Sequence, residues 1–141
     1  MRRQRWGLGL VLLMVLGLAA GCGPSPEERA AALSARLQGS WQGAYRETDL
    51  RLTFGPGDEF ALLSVDQGTY TPIRIRGTYS VTFFTRPAPL TLTLQTERGT
   101  QIIYTLVDFR GENLLYFENN YAGAPRPPDF TPTQMITLTR R

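Results

Sequence analysis

Alternation of apolar and polar residues with a period of two runs through most of the chain after Trp41. In the segment 50–54, three apolar residues alternate with an arginine and a threonine, and the same pattern recurs at 73–76 and 90–94. Successive side chains of a β-strand point to opposite faces, so this pattern predicts strands with one buried and one solvated face. The fold class is therefore predicted to be all-β.

Further segments have the composition of strands, at 60–65, 77–83, 101–108, 113–117 and 134–139. Sequences rich in Gly, Pro and Asp separate the strands, as turns do, at 55–58, 66–68, 86–89, 97–99 and 110–112. Short strands with hairpin-length links predict about eight strands in an antiparallel meander that closes into a barrel or sandwich. We expect a single barrel domain over residues 39–141. Closure of the sheet would remove the exposed strand edges.

One short helix is expected before the barrel, over residues 25–38. Ser25 and Glu28 have the spacing of a capping box, and Pro26 occupies the first helical position. The alanine-rich segment that follows has high helix propensity, with Leu33 and Leu37 on one face.

Residues 1–21 have the profile of a bacterial signal peptide: three arginines, a short apolar run and then small residues. The segment 18–22 (LAAGC) resembles the lipobox of bacterial lipoproteins, which implies that Cys22 is acylated and becomes the mature N-terminus. Residues 22–24 would then form a lipidated tether. An uncleaved N-terminal anchor is the alternative, and both interpretations attach the domain to a membrane.

The positive charge of the chain lies in its first residues. Arg2, Arg3 and Arg5 account for the formal excess of +3, and removing them leaves twelve arginines against twelve acidic residues. A nucleic-acid partner is therefore not expected, because such proteins carry a clustered positive surface.

The types of residue that the chain lacks restrict its chemistry. It has no His, every one of its basic residues is an arginine, and Cys22 is its only cysteine. We therefore expect neither a Ser–His pair nor a Schiff-base lysine, and no cofactor and no metal site. Carboxylates are the remaining catalytic candidates, but Asp58, Glu59, Asp108 and Glu112 fall in or beside predicted turns. We expect a protein that is not an enzyme.

Short motifs distributed along the β region resemble a known group. The segment 37–41 (LQGSW) opens it, 126–130 (RPPDF) precedes the last strand, and Arg140 ends that strand. This order resembles small, largely uncharacterised bacterial lipocalin-like domains. The resemblance implies that Gly39 and Trp41 seal one barrel end and that Arg140 packs over the tryptophan. The alternative is that Arg140 is a frayed terminal charge.

Inward-facing Leu, Ile, Phe and Tyr residues could line a cavity for an acyl chain or another apolar ligand. Four tyrosines would add polar tips to it: Tyr45, Tyr79, Tyr104 and Tyr116. The alternative is an ordinary core, since small barrels are often filled by their own side chains.

Two features are candidate binding surfaces. Residues 118–132 form the longest irregular stretch, in which Tyr121, Arg126 and Phe130 could belong to a lid or partner-binding loop. The alternative is a crossover that covers one barrel end, with Phe130 as its plug. Arg74 and Arg76, with Arg46 and Arg51 nearby, could meet lipid headgroups or an acidic partner, or form a solvated face.

These observations predict a lipid-anchored, non-enzymatic module of the bacterial cell envelope, on the periplasmic face or in the outer membrane. It would act in protein interaction or assembly. The alternative is a lipocalin-like carrier of a small apolar ligand. A contiguous internal pocket would favour the carrier, and a filled core would favour the interaction module.

Overall fold

The computed structural model describes residues 23–141, so the predicted signal peptide and Cys22 lie outside the described residues. One helix precedes eight strands. The elements are α1 (Pro26–Leu37), β1 (Gly39–Tyr45), β2 (Thr48–Phe54), β3 (Glu59–Asp66), β4 (Pro72–Val81), β5 (Ala88–Thr96), β6 (Gly99–Phe109), β7 (Leu114–Glu118) and β8 (Met135–Arg140).

The strands form a closed antiparallel barrel in sequence order, with β8 returning to pair with β1. The predicted all-β meander of about eight strands behind one short helix is therefore confirmed. Closure is achieved by two residue pairs, Trp41 with Arg140 and Gln42 with Thr139.

Helix α1 begins with the predicted capping box. The Ser25 hydroxyl accepts a hydrogen bond from the Glu28 amide at 3.2 Å, and the Glu28 carboxylate accepts one from the Ser25 amide at 3.3 Å. Ala30 and Leu37 are buried and Leu33 packs against the barrel core. The apolar side of the helix therefore closes one end of the barrel.

The two ends of the barrel differ in what covers them. The helix end carries α1 and the turns at 55–58, 82–87 and 110–113. The far end carries the turns at 46–47, 67–71 and 97–98, and the long link between β7 and β8 at 119–134, which we call the strap. The aromatic core residues Trp41, Phe54, Phe83 and Phe109 are all buried.

Strand β4 is continuous where the sequence predicted two segments, at 73–76 and 77–83. Gly77 lies inside the strand, opposite Leu94 of β5. A Cβ atom at this position would stand 1.9 Å from the Thr93 carbonyl oxygen, so the glycine permits the close approach of two strands. The prediction of a break was wrong because this glycine serves packing and not a turn. Phe83 lies beyond the strand, in the turn at the helix end.

Candidate functional site

Gly39, Trp41 and Arg140 lie together at the helix end. The Arg140 Cζ atom is 4.2 Å from the centroid of the Trp41 ring, within the range of a cation–π contact. Its guanidinium also donates to the Gln38 carbonyl at 3.1 Å and to the Arg36 carbonyl at 2.5 Å. Arg140 is thus held by the C-terminus of α1 and by the tryptophan.

Gly39 allows this arrangement through its backbone conformation and its small size. Its φ is +124°, and a Cβ atom there would stand 3.2 Å from Arg140 Nη1. Trp41 is fully buried, and its indole N–H donates to the Leu37 carbonyl at 2.9 Å. The cluster therefore joins the helix to both closing strands, which is a structural arrangement and has no free reactive group.

A second arginine extends the seal. Arg36 Cζ lies 4.4 Å from the centroid of the Phe109 ring, and its guanidinium donates to the Gly111 carbonyl at 2.9 Å. Phe109 in turn stacks on Phe83 at 5.5 Å between ring centroids. The sequence analysis missed Arg36 and Phe109, because only the fold brings the helix to the turn at 110–113.

A small apolar cavity of about 100 Å³ lies in the barrel interior. Nine apolar side chains and two asparagines line it: Leu50, Leu52, Phe60, Leu62, Leu92, Leu94, Ile103, Phe117, Asn119, Asn120 and Ile136. Ligand sites for small molecules usually occupy roughly 300–1,000 Å³, and an apolar cavity of about 150 Å³ admits benzene. The interior is therefore filled in the main by the protein's own side chains.

The four tyrosines that were expected to line a cavity divide between the two faces of the barrel. Tyr79 is buried inside, where its hydroxyl donates to the Gly55 carbonyl at 3.0 Å, and Tyr45 packs against the core. Tyr104 and Tyr116 lie on the outer face, so their prediction as cavity residues was wrong. In β6 the inward positions belong to Ile103 and Thr105, which are paired with Leu92 and Leu90.

Part of the strap lies on the outer face of the barrel wall. The Arg126 guanidinium donates to the carbonyls of Leu90 at 2.8 Å and Thr105 at 2.5 Å, and to the Thr91 hydroxyl at 2.8 Å. Its Cζ atom lies 5.4 Å from the centroid of the Tyr104 ring. Arg126 is therefore engaged in fastening the strap to β5 and β6.

The other two predicted loop residues have different surroundings. Phe130 packs edge-to-face on Tyr116 at 6.0 Å between centroids, on the outer face, so the expectation that it plugs the barrel end was wrong. Beside it, the amide of Thr131 donates to the buried carboxylate of Glu118 at 2.8 Å. Tyr121 is 73 % exposed and is the residue of the three that is free to meet a partner.

Three arginines share the outer face of neighbouring strands. Arg51 of β2 and Arg74 of β4 flank Leu63 of β3 in one cross-strand row, and Arg76 lies in the next row, opposite Ala61. Within residues 23–141 none of the three forms an ion pair with a carboxylate, and the Arg51 Nε atom is buried without an acceptor. This face therefore carries positive charge that no carboxylate neutralises among the described residues.

The carboxylates that a hydrolase would need are occupied or isolated. Asp108 forms an ion pair with Arg86 at 2.7 Å, while Asp58, Glu59 and Glu112 are exposed. No group of three or more potential ligands among His, Cys, Asp and Glu occurs within the described range to hold a metal ion.

Two pKa shifts have local structural causes. Burial, with a smaller contribution from the charge of Asp58, raises the pKa of Tyr79 above its ordinary value of 10.0. Hydrogen bonds from the Thr69 and Gly68 amides and from the Thr69 hydroxyl lower the pKa of Asp66 in the turn between β3 and β4. The first shift follows from packing and the second from the structure of the turn.

Comparison of the chain with protein-family models, with curated proteins and with solved structures found no match. None of the helices between residues 23 and 141 combines the length and apolarity that a membrane span requires.

Proposed function

We propose that this protein is a non-enzymatic lipoprotein of the bacterial cell envelope that acts as an interaction or assembly module. The observation that carries the proposal is the filled barrel, whose interior leaves a cavity of only about 100 Å³. A scaffold without room for cargo binds through its outer surface. That surface offers three unpaired arginines and exposed Ile102, Tyr104 and Tyr121.

The anchor in this proposal is acylated Cys22, on the periplasmic side of the inner membrane or in the outer membrane. Several acyl chains on one residue bind a bilayer far more firmly than one chain does. Three residue steps separate Cys22 from the N-cap Ser25, and they span at most about 11 Å. The start of α1 would therefore lie close to the bilayer surface.

Metabolic labelling with a clickable palmitate analogue in a bacterial host tests the anchor. We expect label on the wild-type chain in the membrane fraction and none on Cys22→Ser, which should keep its signal peptide. Gly23→Ser is the matched control and should label like the wild type, because it keeps the cysteine. An unlabelled wild-type chain would refute the lipoprotein assignment.

The alternative function, a lipocalin-like carrier of a small apolar ligand, is favoured by the apolar lining of the interior cavity. Asn119 and Asn120 line this cavity from the strap side. Titration with a fluorescent fatty acid distinguishes the two functions. Saturable uptake at one site would support the carrier, whereas no uptake is expected for the interaction module.

The proposal includes neither a nucleic-acid partner nor a metal or cofactor. It is supported by the equal numbers of basic and acidic residues that follow residue 21. The partners it predicts are a membrane, through Cys22, and another protein.

A further inference from the structure

Strand β6 is much longer than the strand that pairs with it on one side. It pairs with β5 from Gly99 to Val107, but with β7 only over residues 107–109. Beyond Glu118 the chain leaves the barrel wall as the strap. On the β7 side, residues 99–105 therefore have no neighbouring strand among the described residues.

The pairing with β5 identifies the backbone groups that face this gap. Thr96 and Gly99 close a two-residue turn, and such a closing pair exchanges hydrogen bonds. Bonded and non-bonded pairs then alternate, so Gln101 and Ile103 bond to β5. The N–H and C=O groups of Thr100, Ile102 and Tyr104 consequently point into the gap.

Two further contacts agree with this assignment. Pro89, which has no N–H, lies opposite Leu106, as expected for a pair that does not exchange hydrogen bonds. The Tyr104 carbonyl accepts a hydrogen bond from the Asn120 side chain at 2.7 Å, across the gap. The strap thus satisfies one edge group, and within residues 23–141 no hydrogen bond reaches the backbone of Thr100 or Ile102 from the gap side.

The sequence of this edge lacks the charged residues and prolines that usually protect a free strand. Residues 99–107 include no charged residue and no proline, and they are rich in β-branched and aromatic side chains. Natural sheets protect open edges with Lys, Pro, bulges or inward charges, because uncharged β-rich edges pair with other chains. Ile102 and Tyr104, which are each 41 % exposed, flank the edge with apolar surface.

The interior cavity lies at the same gap. Ile103 lines it from the β6 side, and Phe117 and Asn119 line it from the β7 side. In a strand added along β6, alternate side chains would face the interior beside this cavity. Its volume of about 100 Å³ suits one branched aliphatic side chain and is too small for a lipid.

We propose that the free edge of β6 at 100–104 is a β-augmentation site, which accepts an extended segment of a partner protein and one of its aliphatic side chains in the cavity. This proposal rests on the interaction function above and names the surface and the class of partner. A partner strand supplies the backbone donors and acceptors that Thr100 and Ile102 lack. A second copy fits less well, because the inward side chains of its own β6 already face its own barrel.

Hydrogen exchange on the mature, lipidated protein in nanodiscs tests whether the edge is free. The amides of Thr100 and Ile102 should exchange close to the rate of an unprotected chain, while those of Gln101 and Ile103 should be strongly protected. Equal protection of all four amides in the monomer would show that the edge is already covered, and would overturn the proposal.

Selection of peptides from a displayed heptapeptide library on the same protein tests the partner class. Ile102→Pro removes one backbone donor from the edge and leaves the pairing with β5. It should therefore lower the affinity for the selected peptides by about tenfold or more. Ile102→Thr keeps the backbone amide, so its affinity for the same peptides should be within about threefold of the wild-type affinity. Selection of no peptide, or equal binding to both variants, would overturn the proposal.

A second readout does not depend on the proline variant folding. Methylation of the peptide's backbone nitrogens should abolish binding where the N–H faces β6, which is at alternate positions. Methylation at the positions between them should be tolerated. Tolerance at every position would contradict strand addition. If the wild type forms concentration-dependent dimers and Ile102→Pro does not, the edge pairs with a second copy of this chain. That result would contradict the proposed partner protein.

The two proposals can fail separately. Loss of the palmitate label would refute the lipoprotein assignment without changing peptide binding at β6. An acylated protein with a protected β6 edge would refute strand addition alone.

Discussion

Arg140 shows how one side chain can link elements that are distant in the sequence. Its guanidinium lies over Trp41 and donates to two carbonyls at the C-terminus of α1, about a hundred residues earlier in the chain. Because β1 and β8 close the barrel through only two residue pairs, this cluster carries much of the closure. A frayed terminal charge would make none of these contacts.

Arg140→Ala should lower the free energy of unfolding by about 2 kcal/mol, from the loss of the cation–π contact and of two charge-assisted hydrogen bonds. Arg140→Lys should lower the free energy of unfolding by roughly half as much, because it keeps the charge but lacks the planar guanidinium group. Urea denaturation measures both. The neighbouring Arg141→Ala is the control, with a change within about 0.5 kcal/mol. Equal effects of Arg140→Ala and Arg141→Ala would contradict the role of the cluster.

Tyr79 makes the stability of the barrel depend on alkaline pH. Its pKa is raised in the folded protein, so the unfolded chain loses this proton first as pH rises. The contribution of Tyr79 to stability is therefore complete below pH 10 and declines as pH rises through the folded-state pKa. Tyr79→Phe should unfold more readily at neutral pH, by about 1 kcal/mol, because it lacks the hydrogen bond to Gly55.

The slope of stability against pH above pH 10 distinguishes this ionisation from general alkaline unfolding. Tyr79→Phe should show a shallower decline in denaturant midpoint than the wild type. Tyr70→Phe, at a ring that is 77 % exposed, is the control and should keep the wild-type slope. An identical slope in all three proteins would mean that the ionisation of Tyr79 is not coupled to unfolding.

At the scale of elements, local signals predicted most of the barrel but not the strap. The capping box at Ser25 and the period of two in β2 and β5 are set by neighbours in the sequence, and they were sufficient to place α1, β2 and β5. The position of the strap depends on Arg126, which bonds residues more than twenty positions away in β5 and β6. No local pattern contains that information.

The same reasoning explains which residues the sequence misplaced. Gly77 was expected to begin a separate strand segment but lies inside β4, where it permits close strand packing, and Ile73 has an inward position but is 55 % exposed. The register of β4 with β5 begins at Arg76, so β5 does not cover Ile73. The gap beside β6 was equally unpredictable, because it depends on how far β7 extends.

Arg126→Gln should loosen the strap while leaving the barrel folded. The substitution removes the guanidinium group that donates three hydrogen bonds to β5 and β6. We expect chymotrypsin to cleave after Tyr121 about tenfold faster, which corresponds to about 1.4 kcal/mol less stability of the closed strap. Arg98→Gln, in the exposed turn between β5 and β6, should leave the cleavage rate unchanged. No acceleration in Arg126→Gln would mean that other contacts hold the strap.

At the scale of the whole molecule, the chain is a closed barrel with a helix sealing one end, an interior that is nearly full and an outer wall with a free strand edge. A predicted lipid anchor three residues before the N-cap of α1 would hold this scaffold at a membrane surface. In this arrangement the barrel supplies rigidity, and the outer surface supplies binding. Such a scaffold carries no cargo in its interior.

Native mass spectrometry of the mature protein, released gently from bacterial membranes, tests this claim most directly. We predict one species with the mass of residues 22–141 plus covalent acyl chains, and no further loss of mass after organic extraction. An apolar molecule that accompanies the protein and is lost on extraction would contradict a filled scaffold and would assign the protein to the carriers.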